Sequence, residues 1–156
     1  MYIVRHLMRR MKTLRGMTIV HVGAHQGQEA AQYDAWGAEK VIWIEADPGQ
    51  LPSLNKQIEH IRSQPRSGFA KLFGASKTEH LVINALVGDV DGEDTAFYIY
   101  SNEGASNSLF TKHPDVDERF DWLTETGDVL RLKMRSLDAL LVENGIKPES
   151  VDFLAM

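Results

Sequence analysis

The apolar positions of the first half of the chain fall into short continuous runs that alternate with segments of helical spacing. Residues 18–22 and 41–45 are runs rich in β-branched residues, typical of buried strands. Residues 28–36 favour a helix, and apolar residues recur at helical spacing from Leu51 to Ile61. A third apolar run at 81–87 predicts another strand. This strand–helix alternation predicts an α/β fold with a parallel sheet and helices on both faces.

The second half of the chain has a different pattern. Residues 89–94 are rich in Asp and Gly, and they predict a turn that joins the 81–87 strand to a strand at 95–100 as an antiparallel hairpin. The acids of this turn lack the spacing of a calcium-binding loop, so we expect no metal site.

Four further elements are predicted beyond this turn. Residues 116–123 favour a short helix, and 130–134 a strand. Ser136 is typical of a helix N-cap before the apolar positions of a helix that ends near Gly145. Residues 151–156 begin another strand.

Composition and charge limit the possible functions. The 156 residues are 43% hydrophobic and contain no cysteine, which excludes a cysteine-ligated zinc site and a thiol nucleophile. The net charge of −5 argues against nucleic acid as a partner. No apolar run is long enough to span a membrane, and we expect a cytoplasmic protein.

The basic residues concentrate at the start of the chain. Residues 1–16 carry five of them and no acid. Their apolar positions fall on one helical stripe, so residues 1–17 predict a basic amphipathic helix that leads into a domain at 18–156. A targeting peptide or a membrane-surface helix is the alternative, although the segment lacks the apolar core of a secretory signal.

The most informative segment is a glycine-containing turn after the first strand. Gly23 and Gly27 stand between a strand and a helix, where a glycine lets the backbone approach a ligand. His25 occupies the place of the middle glycine in the dinucleotide-binding pattern, and its side chain would crowd a pyrophosphate. The turn therefore favours a ligand without phosphate at this point. His25 lies within the candidate binding set, and its other interpretation is an exposed loop histidine without a catalytic role.

Glu45 closes the second predicted strand. It follows Gly23 by 22 positions, the arrangement in which an acid accepts hydrogen bonds from the ribose hydroxyls of a nucleotide. The pair of turn and acid indicates a nucleoside ligand. The alternative for Glu45 is a solvated acid at a strand end.

An ordered set of motifs extends this interpretation. The segments IVHVGAHQGQEA, VIWIEADP, NALVGDVDGEDTAFYIY, GASNSL, RSLDALL and VDFLAM resemble, in this order, FkbM-type S-adenosylmethionine-dependent methyltransferases over residues 18–156. The resemblance implies a Rossmann-like class I methyltransferase fold. It also implies S-adenosyl-L-methionine as cofactor and O-methylation of a hydroxyl on a glycan or a small molecule, an activity of EC class 2.1.1.

The resemblance also implies roles for individual residues. The cofactor set comprises the glycine turn, the acid after the second strand with its neighbour, and the end of the third strand. The loop with alternating serines lies near the mouth of the active site. In this chain these positions are Gly23, Ala24, His25, Gly27, Glu45, Ala46, Asn84 and Ala85 for the cofactor, and Ser106, Asn107 and Ser108 for the substrate-side loop.

Two departures from the family pattern bear on function. The family often has an acid where His21 stands, and this acid helps to hold the cofactor. The family also continues past the strand at 151–156, so we expect a fold truncated after its fourth core strand, with possible self-association through that strand's edge. A non-catalytic nucleoside-binding module therefore remains an alternative, and a nucleotide-dependent oxidoreductase is a weaker one. No residue is singled out as the general base; His25, His80 and His113 are candidates.

Overall fold

The computed structural model describes residues 14–64, 77–102, 104, 106–111 and 125–156. Within them, strands and helices alternate as the sequence predicts, and two sheets form. The elements are β1 (Thr18–Val22), α1 (Ala30–Ala35), β2 (Lys40–Glu45), α2 (Leu51–Ser63), β3 (Glu79–Asn84), β4 (Leu86–Val87), β5 (Asp94–Tyr100), β6 (Glu125–Arg135), α3 (Leu137–Glu143) and β7 (Phe153–Ala155), with 3-10 turns at Pro48–Gln50 and Pro148–Ser150.

The larger sheet has the order β3-β2-β1-β7, and all its pairs are parallel. His21 pairs with Trp43 of β2 on one side and with Ala155 of β7 on the other. The predicted parallel sheet is therefore confirmed. All the carboxyl ends of these strands meet at one edge.

Helices cover both faces of this sheet because its central strands are apolar in both directions. On one face Ile19, Val41 and Trp43 pack with residues of α1 and α2. On the other face Val20 and Ile42 pack with residues of α3. Each of these five strand side chains is fully buried. This two-sided burial explains why the strands are continuous apolar runs.

The first face also carries a buried polar cluster. His21 accepts or donates a hydrogen bond at Nδ1 with the Tyr33 hydroxyl (3.1 Å) and stacks on Trp43 (5.3 Å between ring centroids). The Trp43 indole donates to Nδ1 of His80 (3.1 Å). Burial lowers the pKa of His21, an effect that Glu29 opposes, and burial also lowers the pKa of His80.

The smaller sheet corrects one prediction. Its order is β4-β6-β5, so β6 separates the two strands that were expected to form a hairpin. β5 pairs antiparallel with β6, and β4 pairs parallel with it.

Asp91 of the acidic turn accepts hydrogen bonds from both the backbone N–H and the hydroxyl of Ser136 (2.8 and 2.7 Å). These bonds lower the pKa of Asp91. The turn therefore anchors the start of α3.

Several predicted boundaries shift and others are confirmed. Ser136 caps α3 by accepting from Ala139 N, as expected. The strand predicted at 130–134 is much longer. Of the predicted N-terminal helix, residues 14–17 form a turn with Leu14 fully buried, and residues 1–13 lie outside the described residues. The helix predicted at 116–123 also lies outside them. In the part of the chain that the structure describes, no helix is long and apolar enough to cross a membrane.

Candidate functional site

The site forms at the carboxyl edge of β1, β2 and β3, where parallel strands leave their connecting turns side by side. Glu45 is the last residue of β2, and it is only 6% exposed. Its Oε2 accepts a hydrogen bond from His25 N (2.6 Å), and its Oε1 accepts one from Asp47 N (2.8 Å). The carboxylate therefore joins the turn after β1 to the turn after β2. The solvated strand-end alternative for Glu45 does not hold.

The two glycines of the first turn have different surroundings. Both have a left-handed backbone, with φ of +73° at Gly23 and +72° at Gly27. A Cβ at Gly27 would lie 2.7 Å from Leu54 Cδ1, so Gly27 lets the turn pack against α2. At Gly23, apart from the glycine and its two chain neighbours, no atom of the described residues lies within 4 Å of that position. Gly23 therefore leaves open space at the edge of the sheet.

His25 also has a left-handed backbone, with φ of 48°, which is uncommon for a residue other than glycine. Its N–H donates to Glu45, and its ring Nδ1 lies 2.8 Å from Nε2 of Gln28. These two contacts hold the strained turn in place. Ala24, between the two glycines, is buried, and its N–H donates to Ile44 O (3.1 Å).

The remaining predicted cofactor residues line one cavity of about 310 Å³. Asn84 ends β3, and its Nδ2 donates to the backbone oxygens of Glu45 (2.7 Å) and Ala46 (3.1 Å). The structure therefore brings Asn84, Ala46 and Ala85 together. The rest of the lining consists of Leu86, Leu132, Lys133, Arg135 and Leu140.

Asp47 belongs to the site, although the sequence analysis missed it. It is 8% exposed, and its Oδ1 accepts from Gly49 N (2.8 Å) at the start of a 3-10 turn. Its Oδ2 accepts from Nδ2 of Asn107 (2.9 Å). An Asp directly before Pro–Gly is a signal for such a cap and could have identified it.

The loop that the sequence predicts on the substrate side thus contacts the turn after β2 through Asn107. Ser106 and Ser108 lie on either side of it without a described contact to Glu45 or Asp47. Ser106 bonds with Asn102 at both its backbone N–H and its hydroxyl (3.2 and 2.8 Å). Ser108 forms an antiparallel bridge with Tyr98.

Of the candidate bases within the described residues, His25 lies at this edge and His80 does not. His80 is the second residue of β3, near the opposite end of the strand, and it is buried beside Trp43. His25 lies in the turn, and His113 lies outside the described residues. At the position of the family's acid, His21 faces the α1 and α2 side of the sheet and, with its lowered pKa, is neutral at neutral pH.

Comparison with known proteins identifies the family of the chain. The family model of the methyltransferase FkbM domain matches residues 21–156. No curated protein matches the chain.

Two solved structures are similar in part. The YcgJ protein of Bacillus subtilis has a TM-score of 0.34 and 14% identity, over 59% of this chain and 34% of its own. This chain therefore spans about a third of that protein. A protein of Listeria monocytogenes, assigned as an S-adenosylmethionine-dependent methyltransferase, has a TM-score of 0.33 and 10% identity, over 88% of this chain and 79% of its own.

Proposed function

Because the chain belongs to the FkbM methyltransferase family, we propose that it binds S-adenosylmethionine and serves the transfer of its methyl group to a hydroxyl. The observation that carries this proposal is the buried Glu45 carboxylate, bonded to the glycine turn beside the open space at Gly23. A nucleoside at this edge would place its ribose near a carboxylate that accepts hydrogen bonds.

The residues present fit the cofactor. Glu45 uses one hydrogen bond on each oxygen, and a carboxylate has about four lone-pair positions, so its capacity to accept from ribose hydroxyls is not exhausted. The space at Gly23 is open because glycine has no side chain, so a ligand can approach the backbone there. The cavity at Asn84 and Ala85 has leucine side chains in its wall, which suits a flat base.

The charges of the site favour this cofactor over a dinucleotide. Glu45 and Asp47 are both buried, and the donors that bond them in the described residues are uncharged. The described salt bridges of Lys133 and Arg135 involve Asp94, Asp91 and Glu143. Two carboxylates that have no cationic partner among the described residues suit a ligand that carries positive charge, and they oppose a diphosphate.

Methyl transfer requires positioning more than acid–base chemistry. S-adenosylmethionine supplies a methyl group on a sulfonium, which is already a good electrophile. The protein must then hold the acceptor oxygen in line at about 3 Å and keep the cofactor fixed. In this chain Glu45 and the turn at Gly23 would hold the cofactor, and the loop with Asn107 would form part of the acceptor side. We assign no general base.

We propose a hydroxyl of a glycan or a small molecule as the acceptor, as the family resemblance implies. A non-catalytic nucleoside-binding module is the second candidate, because no residue of the described site is singled out as a general base. An oxidoreductase is disfavoured by His25, which crowds the position of a pyrophosphate.

Isothermal titration with S-adenosylmethionine, S-adenosylhomocysteine and NAD tests the cofactor. We expect the first two to bind and NAD to give no heat of binding. Transfer of a labelled methyl group to a panel of glycans and small hydroxyl compounds then separates the enzyme from the binding module. Binding of NAD in preference to the sulfonium cofactor would contradict the proposal.

A further inference from the structure

Asn107 connects two parts of the site that are far apart in the chain. Its Nδ2 donates to Oδ2 of Asp47 (2.9 Å), 60 positions away. Its Oδ1 accepts from Tyr100 N (2.9 Å) at the end of β5. Both polar ends of this side chain are therefore used, one on the cofactor side and one within its own loop.

The connection continues to the glycine turn. Asp47 N donates to Oε1 of Glu45, whose Oε2 accepts from His25 N. Hydrogen bonds thus link, in series, the turn after β1, Glu45, Asp47 and Asn107. Glu45 and Asp47 are both buried, so water competes poorly for these bonds.

The loop backbone is shaped for this approach. Gly104 has φ of +84°, and a Cβ at this position would lie 2.5 Å from Nε2 of Gln50 and 3.0 Å from Nδ2 of Asn107. A side chain at 104 would therefore displace the ends of the Gln50 and Asn107 side chains, and the left-handed backbone would strain any residue other than glycine. Gly104 therefore lets the loop lie close to the side chains of Gln50 and Asn107.

We propose that Asn107 is a positioning residue that couples the substrate-side loop to the cofactor turn. This inference rests on the proposed function. A cofactor bound at Glu45 would also order the loop, and an ordered loop would favour the cofactor-binding form of the turn. The coupling is reciprocal, as any coupling between two binding regions must be.

Exchanging the two partners tests this. Asn107→Asp places a carboxylate against that of Asp47, and the bond is lost. The double variant Asp47→Asn with Asn107→Asp restores a donor opposite a carboxylate, and it keeps the oxygens that accept from Gly49 N and Tyr100 N. Asn55→Asp makes the same change at an exposed position of α2 and is the matched control.

Hydrogen exchange without ligand is the first measurement. In Asn107→Asp the acceptor of Tyr100 N is kept, and the bond to Asp47 is lost, so the loop should open more often. We expect exchange to rise about 10- to 100-fold at Tyr100, the size expected for that lost charged hydrogen bond, and several-fold at His25. The double variant should return both to within about threefold of the wild type, and Asn55→Asp should match the wild type. Unchanged exchange at His25, or no recovery in the double variant, would overturn the coupling. If Asn107→Asp does not fold, a folded double variant with wild-type exchange supports the coupling, and an unfolded one overturns it.

S-adenosylhomocysteine supplies the second measurement. It should slow exchange at Tyr100 in the wild type and in the double variant, and not in Asn107→Asp. A wild-type protein that binds no S-adenosylhomocysteine would refute the proposed function, while the ligand-free comparison still decides the coupling. Equal slowing in Asn107→Asp would overturn the coupling and leave the proposed function standing.

Discussion

Replacement of Glu45 by Gln changes one atom of a buried side chain and tests both the fold and the proposed site. The carboxylate accepts from two backbone N–H groups, those of His25 and Asp47, at 2.6 and 2.8 Å. An amide offers one accepting oxygen and one NH2 group. One of the two backbone N–H groups must therefore face another donor. Because Glu45 is buried and bonds to both turns, we expect the substitution to affect both stability and binding.

The magnitude follows from these contacts. Loss of a hydrogen bond to a charged group costs about 1.5–3 kcal/mol, and the N–H that loses its acceptor is buried at Asp47 or partly buried at His25. Removal of the charge lowers the desolvation cost of the site and offsets part of this loss. We expect Glu45→Gln to lower the free energy of unfolding by about 2 kcal/mol. Weaker bonds to the ribose hydroxyls should raise the Kd for S-adenosylhomocysteine about 10- to 100-fold, since each tenfold corresponds to about 1.4 kcal/mol.

Urea unfolding followed by circular dichroism gives the stability, and isothermal titration of the folded variant gives the Kd. Glu59→Gln, on the exposed side of α2, makes the same chemical change outside the site and should leave both quantities unchanged. If Glu45→Gln unfolds at the wild-type urea concentration, the two hydrogen bonds do not hold the turns together. If the folded variant binds with wild-type affinity, Glu45 does not contact the cofactor.

The other predictions concern the glycines and the buried histidines. Gly23 and Gly145 both have a left-handed backbone and open surroundings, so alanine at either position should lower the free energy of unfolding by about 1–2 kcal/mol. In titrations, only Gly23→Ala should weaken S-adenosylhomocysteine binding. Gly27→Ala adds a clash to the same backbone strain and should be less stable than Gly145→Ala in urea; equal stability would contradict the packing role. Burial lowers the pKa of His21 and His80, so below pH 6.5 the unfolded chain binds more protons than the folded one. The free energy of unfolding should therefore decrease as the pH is lowered below 6.5, by up to about 1.4 kcal/mol per pH unit for each histidine. Urea midpoints near pH 7.5 and near pH 5.5 measure this fall, and it should be smaller in His80→Gln; a midpoint independent of pH would refute it.

Local signals predicted the parallel sheet well. The strands near Val20 and Ile42 are buried on both faces, and such strands appear in the sequence as short apolar runs between turn residues. Ser136 and Gly145 mark the two ends of α3 through a cap and a left-handed residue, both of which depend only on neighbouring residues. Elements determined by their own residues could therefore be placed before the structure was known.

Pairing between distant segments could not be predicted in the same way. The acidic turn at 89–94 indicates a reversal of the chain, but a turn does not determine which strand lies beside the next. β6 inserts between β4 and β5, and Asp91 bonds to Ser136, 45 positions away. The contact between Asp47 and Asn107 is equally remote. Sequence spacing identified Glu45 and Asn107 as separate candidates, and the bonds that join them depend on the folded chain.

The geometry also accounts for a histidine at the position where the family often has an acid. His21 is neutral at neutral pH because burial lowers its pKa, and its ring bonds to Tyr33 on the α1 and α2 side of the sheet. The negative charge of the site therefore comes from Glu45 and Asp47, which lie at the carboxyl edge with uncharged donors. Under the proposed function, two buried carboxylates already lie opposite a cationic ligand, so a third at position 21 would add repulsion and desolvation cost. On this reasoning His21→Asp should lower the stability of the free protein, because a carboxylate placed among Tyr33 and Trp43 would be buried without a cationic partner.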